Sequence, residues 1–461
     1  MVVGPRAVDP SRIVLVNPTT DSEEVAASAA CYPPLGLISL GTTLKSELGE
    51  IEVKILDQAV VGFDATVKEF TRGSVVGISA LTTTYRNSLR FAREAIDKGC
   101  FVVLGNDHAS RFADLIVRDR GVHAVLIGDH VEFPFVDLMR WAADARDYVP
   151  EIPGLVMLGT SGPVSQPPVR YPMERVPIPD RSLVDHRPYR EEFMRRFGRT
   201  ISSQNLTPTT VNLCRGCSKV NDRCSFCDIY DLRLDRVSPK RAWLELLCLT
   251  RSGLNYLWEV GDSFTSHPHW LAELAATRPP EFTGELFVYA RAQELTNPST
   301  VRLLAQIGVT RVNVGMESGD DDGLRIYNKG NIKGSETNRV AAKNLAERNI
   351  RAHVSLILGF PGESRDSLAR TEDLVQCLLD LRIISSIDVA ILYPLPGAPL
   401  WRLIREHPHF SDAVGTDLLP SDLRERFARH FCGVSMEVLH DTQQRINATL
   451  RTHGCVPGGF G

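Results

Sequence analysis

The chain has 461 residues, which is enough for two or three domains with substantial cores. Its 52 Lys and Arg residues nearly balance its 56 Asp and Glu residues, so no net field draws it to nucleic acid or to an anionic membrane. No apolar run approaches the length of a membrane span, and the N-terminus lacks the long apolar stretch and cleavage site of a signal peptide. We therefore expect a cytoplasmic protein that binds neither nucleic acid nor membranes.

Residues 1–150 alternate short apolar strands with amphipathic helices, a pattern that predicts a doubly wound parallel sheet of Rossmann-like type. Ligands of such sheets bind at the carboxyl ends of the strands. Polar loops follow these predicted strands. Turn formation and helix capping are enough to explain the polar residues of each loop considered alone. Strands are predicted over residues 13–16, 53–56, 75–78, 101–104 and 124–127, and helices over residues 35–48, 84–98, 109–119 and 133–144.

Residues 151–206 predict an irregular linker between two domains. A Gly-rich hairpin candidate at residues 154–164 precedes a Pro-rich stretch at residues 166–180, and both are poor helix formers. No chemistry is assigned to this segment.

Four of the ten cysteines lie within fourteen residues, as Cys214-x2-Cys217-x6-Cys224-x2-Cys227. Thiolates this dense are unfavourable unless a soft metal holds them. A zinc site or a ferredoxin-like site would use all four, whereas an open [4Fe–4S] cluster would use only Cys217, Cys224 and Cys227. Six residues are fewer than usually separate the two halves of a zinc site, which favours iron and sulfur. Phe226, directly before the last cysteine, could cover a bound nucleoside.

Strand–helix alternation resumes over residues 207–405 and predicts six βα units. Residues 406–461 predict a helical tail with no assigned chemistry. The predicted strands of residues 207–405 cover residues 210–213, 256–260, 286–290, 311–314, 352–358 and 387–392, and the predicted helices cover residues 240–251, 270–277, 298–307, 336–348 and 365–381.

The cysteine segment resembles the cluster loop of the radical S-adenosylmethionine (SAM) superfamily, with its RGC start and CxFC end. The resemblance implies a partial TIM barrel, (β/α)6, that holds a [4Fe–4S] cluster on three cysteines and uses SAM. The chain departs from the family at residues 218–223 (SKVNDR), where three residues are usual. We expect the excess to bulge into solvent without moving the ligands, because lengthening a loop costs roughly a few tenths of a kcal/mol per residue or less.

Family-like motifs also follow the predicted strands in order. The resemblance implies that Gly261 and Asp262 bind SAM after the second strand, Arg291 after the third, and Glu317 and Ser318 after the fourth. Local alternatives stay open for these residues, because Asp262 and Ser318 also suit helix capping and Arg291 suits a surface ion pair.

Residues 1–150 resemble the cobalamin-binding domain that precedes the barrel in one branch of radical SAM enzymes. The resemblance lies in residues 33–37, 103–109 and 124–129. Where the wider cobalamin fold has DxHxxG, with a histidine that ligates cobalt, this chain has Ala59, which cannot ligate a metal. Radical SAM members often bind cobalamin without that histidine, so cobalamin binding is left open.

The resemblance implies SAM cleavage to a 5′-deoxyadenosyl radical that acts on a small molecule in natural-product biosynthesis. Since the cobalt-ligating histidine is absent, we expect a lyase that dehydrates a vicinal diol of an aminoglycoside sugar during antibiotic biosynthesis. Cobalamin-dependent C-methylation is the alternative. Tyr230 and Cys214, beside the cluster, are candidate hydrogen donors. The structural alternatives are a packed aromatic side chain for Tyr230 and a buried thiol for Cys214. The resemblance also implies an external electron donor and allows for a partner reductase.

A different class remains open as well. A non-catalytic iron–sulfur or zinc module would need Cys214 as much as the other three cysteines.

Overall fold

The computed structural model describes residues 8–20, 31–144, 148–197, 206–329 and 333–457. The chain forms two compact units. Unit 1 comprises Met1–Arg195 and Gly415–Leu419, and unit 2 comprises Arg196–Val414 and Pro420–Gly461. Residues 198–205 of the predicted linker and Gly330, which follows Lys329, lie outside the described residues. In the described ranges, no helix is both long and apolar enough to cross a bilayer.

Unit 1 contains one seven-stranded sheet. Its five parallel strands form where the sequence predicts them. The hairpin predicted within the linker also forms, and it extends this sheet by two antiparallel strands. The strands are β1 (Arg12–Asn17), β2 (Glu52–Asp57), β3 (Val75–Ser79), β4 (Phe101–Gly105), β5 (Ala124–Leu126), β6 (Leu155–Gly159) and β7 (Gly162–Ser165), in the order β2-β1-β3-β4-β5-β6-β7.

Both faces of this sheet are buried. In β1, Ile13 and Leu15 pack into one hydrophobic cluster, and Val14 and Val16 pack into the other, because successive side chains of a strand point to opposite faces. The predicted doubly wound arrangement is therefore confirmed. The helices are α1 (Leu35–Leu48), α2 (Gln58–Val61), α3 (Phe63–Lys68), α4 (Tyr85–Asp97), α5 (Asp107–Arg111), α6 (Ala113–Asp119), α7 (Glu132–Ala143) and α8 (Arg187–Phe197), which runs to the boundary between the units.

The segment Gly415–Leu419 is distant in sequence from the rest of unit 1. The carboxylate of Asp417 accepts from Arg120 at 2.6 and 2.8 Å and from the hydroxyl of Tyr85, and its backbone oxygen lies 2.7 Å from Nε2 of His108. Although burial opposes it, the Arg120 guanidinium and the Tyr85 hydroxyl hold the pKa of Asp417 below its usual value. This partly buried ion pair joins residues 297 positions apart and was not predicted from the sequence.

We predict that Asp417→Asn lowers the unfolding free energy by about 2 kcal/mol, because Arg120 loses a charge-assisted partner away from water. The measurement is the midpoint of chemical unfolding. Asp412→Asn is the control, since Asp412 also pairs with an arginine, Arg426, at 2.9 Å but lies on the surface, where such a pair contributes about 0.5 kcal/mol. Equal shifts in both variants would contradict the prediction.

Unit 2 contains a second seven-stranded parallel sheet and a two-stranded ribbon. Six of the strands are the predicted ones, and the seventh comes from the predicted helical tail, which therefore is not wholly helical. The sheet follows the order β16-β15-β14-β13-β12-β11-β8, and β9 pairs with β10. Its strands are β8 (Pro208–Val211), β9 (Cys214–Arg215), β10 (Asp235–Arg236), β11 (Tyr256–Glu259), β12 (Glu285–Arg291), β13 (Val309–Glu317), β14 (Arg351–Leu358), β15 (Ile384–Ile391) and β16 (Val456–Pro457).

Strand order differs between the units in a way that decides where ligands bind. The order in unit 1 reverses at β1, so its crossover helices cover both faces of the sheet. In unit 2, the strand order never reverses from β8 to β15, so right-handed crossovers place the helices on one face of the sheet and leave the other face as a barrel interior.

The helices of unit 2 are α9 (Pro239–Arg251), α10 (Pro268–Ala276), α11 (Ala292–Leu295), α12 (Pro298–Ile307), α13 (Asp321–Ile326), α14 (Glu336–Ala346), α15 (Arg365–Asp380), α16 (Trp401–Glu406), α17 (Leu423–Phe431) and α18 (Met436–Thr452).

Side chains alternate accordingly along the central strands. In β15, Ile387 and Val389 are buried on the helix-covered face, whereas Ser386 and Asp388 point to the interior. The same alternation places Phe287, Tyr289, Arg311, Asn313, His353 and Ser355 on the interior face. The interior of unit 2 is therefore polar and aromatic.

Candidate functional site

Cys217, Cys224 and Cys227 lie on one loop between β9 and β10, and all three are partly buried. Burial raises the pKa of the Cys217 and Cys227 thiols, and Cys224 interacts electrostatically with both. Gly216 begins the loop with a φ of 82°, and a Cβ there would lie 2.2 Å from the backbone oxygen of Arg233. Only glycine permits this close turn.

The donor set fits an iron–sulfur cluster by its chemistry, since three thiols stand on one short loop. Among the described residues, no group of three or more His, Cys, Asp or Glu side chains is placed to hold a single metal ion. A [4Fe–4S] cluster binds each thiolate to a different iron, so its ligands do not converge on one point.

Cys214 differs from these three cysteines. It belongs to β9, it is fully buried, and its Sγ donates to Oε1 of Glu259 at 3.7 Å. Burial and the neighbouring Glu259 carboxylate raise its thiol pKa well above the usual value. Tyr230 is partly buried on the same loop as the other cysteines. The hydrogen-donor roles of Cys214 and Tyr230 stay predictions.

Two carboxylates at the end of β11 hold the start of this loop. Oε1 of Glu259 accepts from the backbone N–H of Leu213 at 3.0 Å and of Gly261 at 3.1 Å, while Oδ2 of Asp262 accepts from that of Gly216 at 2.6 Å. Burial raises the pKa of Glu259 to about 7. SAM binding by Gly261 and Asp262 stays a prediction, and Asp262 has a second role that sequence reasoning missed.

The insertion at residues 218–223 does not simply bulge into solvent. Although Val220 is exposed, Lys219 is buried, and its ammonium donates to the backbone oxygen of Asn328. The Asn328 side chain donates to the Asp222 carboxylate and, at 2.9 Å, to the backbone oxygen of Arg223. The insertion is therefore clamped to Asn328, against the expectation from loop entropy alone.

Arg291 is engaged at the other end of the insertion. Its guanidinium donates to the hydroxyl of Ser218 and pairs with Glu294 at 3.3 Å. Glu294 also accepts from Ser218 at 2.9 Å, from Ser266 at 3.0 Å and from Thr265. Glu294 was not predicted from the sequence, because no helix was predicted over α11, which brings Glu294 back to Arg291 at the end of β12. SAM binding by Arg291 stays a prediction.

Glu317 and Lys329 form a nearly buried ion pair, with 2.9 Å between Oε1 and Nζ. Burial alone would lower the pKa of Lys329, but the Glu317 carboxylate and the Cys224 thiol outweigh it, and the pKa is raised. Nζ of Lys329 also lies 5.8 Å from the ring centroid of Phe226. The structure thus brings Phe226 and Glu317 together beside a cluster cysteine.

Ser318 is almost fully buried, and its hydroxyl accepts from the backbone N–H of Asp320 at 3.0 Å. The N-cap of α13 is Asp320 rather than Ser318. Ser318 thus supports the turn before the helix, and its SAM-binding role stays a prediction.

The radical SAM superfamily model matches residues 211–375, from the end of β8 into α15. These residues belong to the radical SAM superfamily. A radical SAM domain implies a [4Fe–4S] cluster and SAM as cofactors. No curated protein sequence matches the chain.

Solved structures resemble the chain beyond its radical SAM domain. The radical SAM methyltransferase TsrM from Kitasatospora setae, bound to tryptophan and a SAM analogue, is 21% identical with a TM-score of 0.66, over 86% of this chain and 76% of that one. OxsB, a cobalamin-dependent SAM radical enzyme with aqua-cobalamin and SAM bound, is 16% identical with a TM-score of 0.68, over 95% of this chain and 67% of that one. At these identities the shared property is the fold.

The strand order of unit 1 has its switch point between β1 and β3, where ligands of such sheets bind. Near this edge Val61 and Leu81 are exposed, at 40% and 38%. Ala59 donates its backbone N–H to Asp57 and offers no metal ligand. Cobalamin binding at this edge stays a prediction.

We predict that Cys217→Ala, Cys224→Ala and Cys227→Ala each lose most of the reconstituted iron and sulfide, because each removes one of three ligands. Cys214→Ala is the matched variant and should retain the cluster, since its thiol points to Glu259. Iron and sulfide content after anaerobic reconstitution measures this. Loss of the cluster from Cys214→Ala would instead support a four-cysteine site.

We also predict that Asn328→Ala loses iron to a chelator several-fold faster than the unaltered chain, because residues 218–223 lose the two side-chain hydrogen bonds of the clamp and keep only the one to the backbone oxygen. Global stability should fall by about 2 kcal/mol, since each hydrogen bond contributes about 1 kcal/mol. Asn349→Ala is the control, since Asn349 has the same left-handed backbone, with a φ of 53° against 51° for Asn328, but is exposed elsewhere. Equal rates in the two variants would refute the clamp.

Proposed function

We propose that this radical SAM enzyme is a cobalamin-dependent C-methyltransferase that acts on a small molecule. The observation that carries the proposal is the order of its parts, a sheet with the 2-1-3-4-5 strand order followed by a radical SAM domain. The fold of TsrM, a methyltransferase solved with cobalamin bound, matches 86% of the chain with a TM-score of 0.66. The comparisons thus favour methylation over the aminoglycoside dehydration that the sequence analysis preferred.

The roles of the site residues form part of this proposal. Cys217, Cys224 and Cys227 hold the cluster, which together with SAM supplies a 5′-deoxyadenosyl radical when both are bound. Phe226 covers the nucleoside. The SAM-facing residues are Gly261, Asp262, Arg291, Glu317 and Ser318.

The ion pairs of the site prepare it for a charged cofactor. Arg291 with Glu294, and Lys329 with Glu317, are satisfied before SAM arrives, so neither pair exposes an unpaired buried charge. SAM carries both an ammonium and a carboxylate, and each can exchange for one member of a pair. The pairs therefore keep the loop ordered while leaving the charges available.

We assign residues 1–150 to cobalamin binding, residues 151–206 to the connection, residues 207–405 to the radical SAM barrel and residues 406–461 to the tail. Bound at the switch point of unit 1, cobalamin would supply the methyl group. Ala59 leaves cobalt without a histidine from this loop. An external electron donor is required to reduce the cluster, and the enzyme is proposed to work in the cytoplasm.

The test is anaerobic reconstitution of the full chain with iron and sulfide, with and without hydroxocobalamin, followed by reduction with SAM. We expect cobalamin to remain bound through gel filtration, and S-adenosylhomocysteine and 5′-deoxyadenosine to form by mass spectrometry. Cys224→Ala is the control and should produce neither.

Other results decide between the alternatives. Formation of 5′-deoxyadenosine without cobalamin retention would end the methyltransferase proposal and return dehydration to first place. An absence of SAM cleavage from a fully loaded cluster would indicate a non-catalytic iron–sulfur module.

A further inference from the structure

We propose that the interior of unit 2 binds its substrate through a positively charged amine, with Asp388 as the counter-ion and Trp258 and Tyr289 as an aromatic wall. The identification of this ligand as the substrate rests on the proposed function. The binding chemistry rests on the structure alone.

Asp388 is a partly buried carboxylate that stands apart from the charged groups described around it. It lies on β15 between the buried residues Ile387 and Val389, which fixes its side chain on the interior face. Among the described residues, nothing pairs with its carboxylate, and burial is the sole cause that raises its pKa. A carboxylate in this setting is unfavourable unless a ligand pairs with it.

Asp388 and Tyr289 lie on the same, interior face of the sheet. The register pairs Tyr289 of β12, through β13 and β14, with Ser386 of β15, and Asp388 stands two residues beyond Ser386 on that face. Burial raises the pKa of the Tyr289 hydroxyl, and the carboxylates of Glu259 and Asp388 add to this effect. Tyr289 and Asp388 are both partly exposed, so the space on this face is open.

Trp258 completes the wall. Its ring centroid lies 5.7 Å from that of Tyr289, on the strand adjacent to β12. Thr210 pairs with Trp258 in the register of β8 and β11 and therefore points to the same face. Thr210 is 5% exposed, and none of the described residues hydrogen-bonds with its hydroxyl. A buried polar atom without a partner on this face is a second, independent indication of a ligand.

The chemistry of the ligand follows from these groups. A carboxylate and two aromatic faces attract an ammonium through charge and through the ring quadrupole. The cation Arg311 occupies the same face but is directed to Tyr256, 5.7 Å from its ring centroid, and it does not act on Asp388. A neutral or anionic ligand would leave Asp388 unpaired, so the interior selects cations.

The test measures binding of benzylamine and of its neutral isostere benzyl alcohol to the anaerobically reconstituted full chain by saturation-transfer NMR. We expect benzylamine to bind at least tenfold more tightly than benzyl alcohol. Asp388→Asn should remove this preference and leave benzyl alcohol binding unchanged. Asp373→Asn, an exposed aspartate on α15, is the control and should change neither. Equal binding of the two probes, or unchanged benzylamine binding in Asp388→Asn, would overturn the proposal.

Two further measurements separate the alternatives. Thermal unfolding of Asp388→Asn should occur at the same temperature as that of the unaltered chain or higher, because the variant removes an unpaired charge. Clear destabilisation would show a structural role and refute the inference, as would a loss of SAM binding, since Asp388 would then belong to the cofactor site. A chain that prefers benzylamine through Asp388 but never cleaves SAM would refute only the proposed function.

Discussion

The site depends on two carboxylates at the end of β11 that hold the backbone of the preceding segment. The Glu259 carboxylate accepts hydrogen bonds from the backbone N–H groups of Leu213 and Gly261, and the Asp262 carboxylate accepts one from that of Gly216. A Cβ on Gly261 would lie 2.2 Å from the backbone oxygen of Cys214, so the two segments touch backbone to backbone. This contact determines where the cysteine loop leaves the sheet.

Strand order is the second constraint, and it separates the tasks of the units. A reversal of order buries both faces of the sheet in unit 1, so a ligand finds room only at the edge of its strands. The unreversed order in unit 2 leaves one face uncovered, which explains why Tyr289, Asn313, Ser355 and Asp388 are polar or aromatic while their strand neighbours are aliphatic. Alternating strands and helices thus produce a site at the edge of the sheet in unit 1 and a site inside the barrel in unit 2.

Much of this was predictable from the sequence because it is local. Apolar runs such as residues 13–16 form strands wherever they are buried, and the spacing of Cys217, Cys224 and Cys227 is a covalent property of the chain. The interior residues were also within reach, since Ser386 and Asp388 alternate with apolar residues in a predicted strand. That alternation was the signal that sequence reasoning left unused.

The sequence by itself determined most of the helices and strands, the radical SAM motif and the thiol donor set, since these depend on residues close along the chain. It did not predict helix α8 within the linker or strand β16 within the tail. Only the tertiary structure decided the partners that are distant in sequence. Asn328 clamps the insertion at residues 218–223, Asp417 pairs with Arg120, and Asp388 shares the interior face with Tyr289. The physical reason is that the identity of a charged or polar residue does not specify its partner. The partner is decided only when the chain folds and the group is buried away from water.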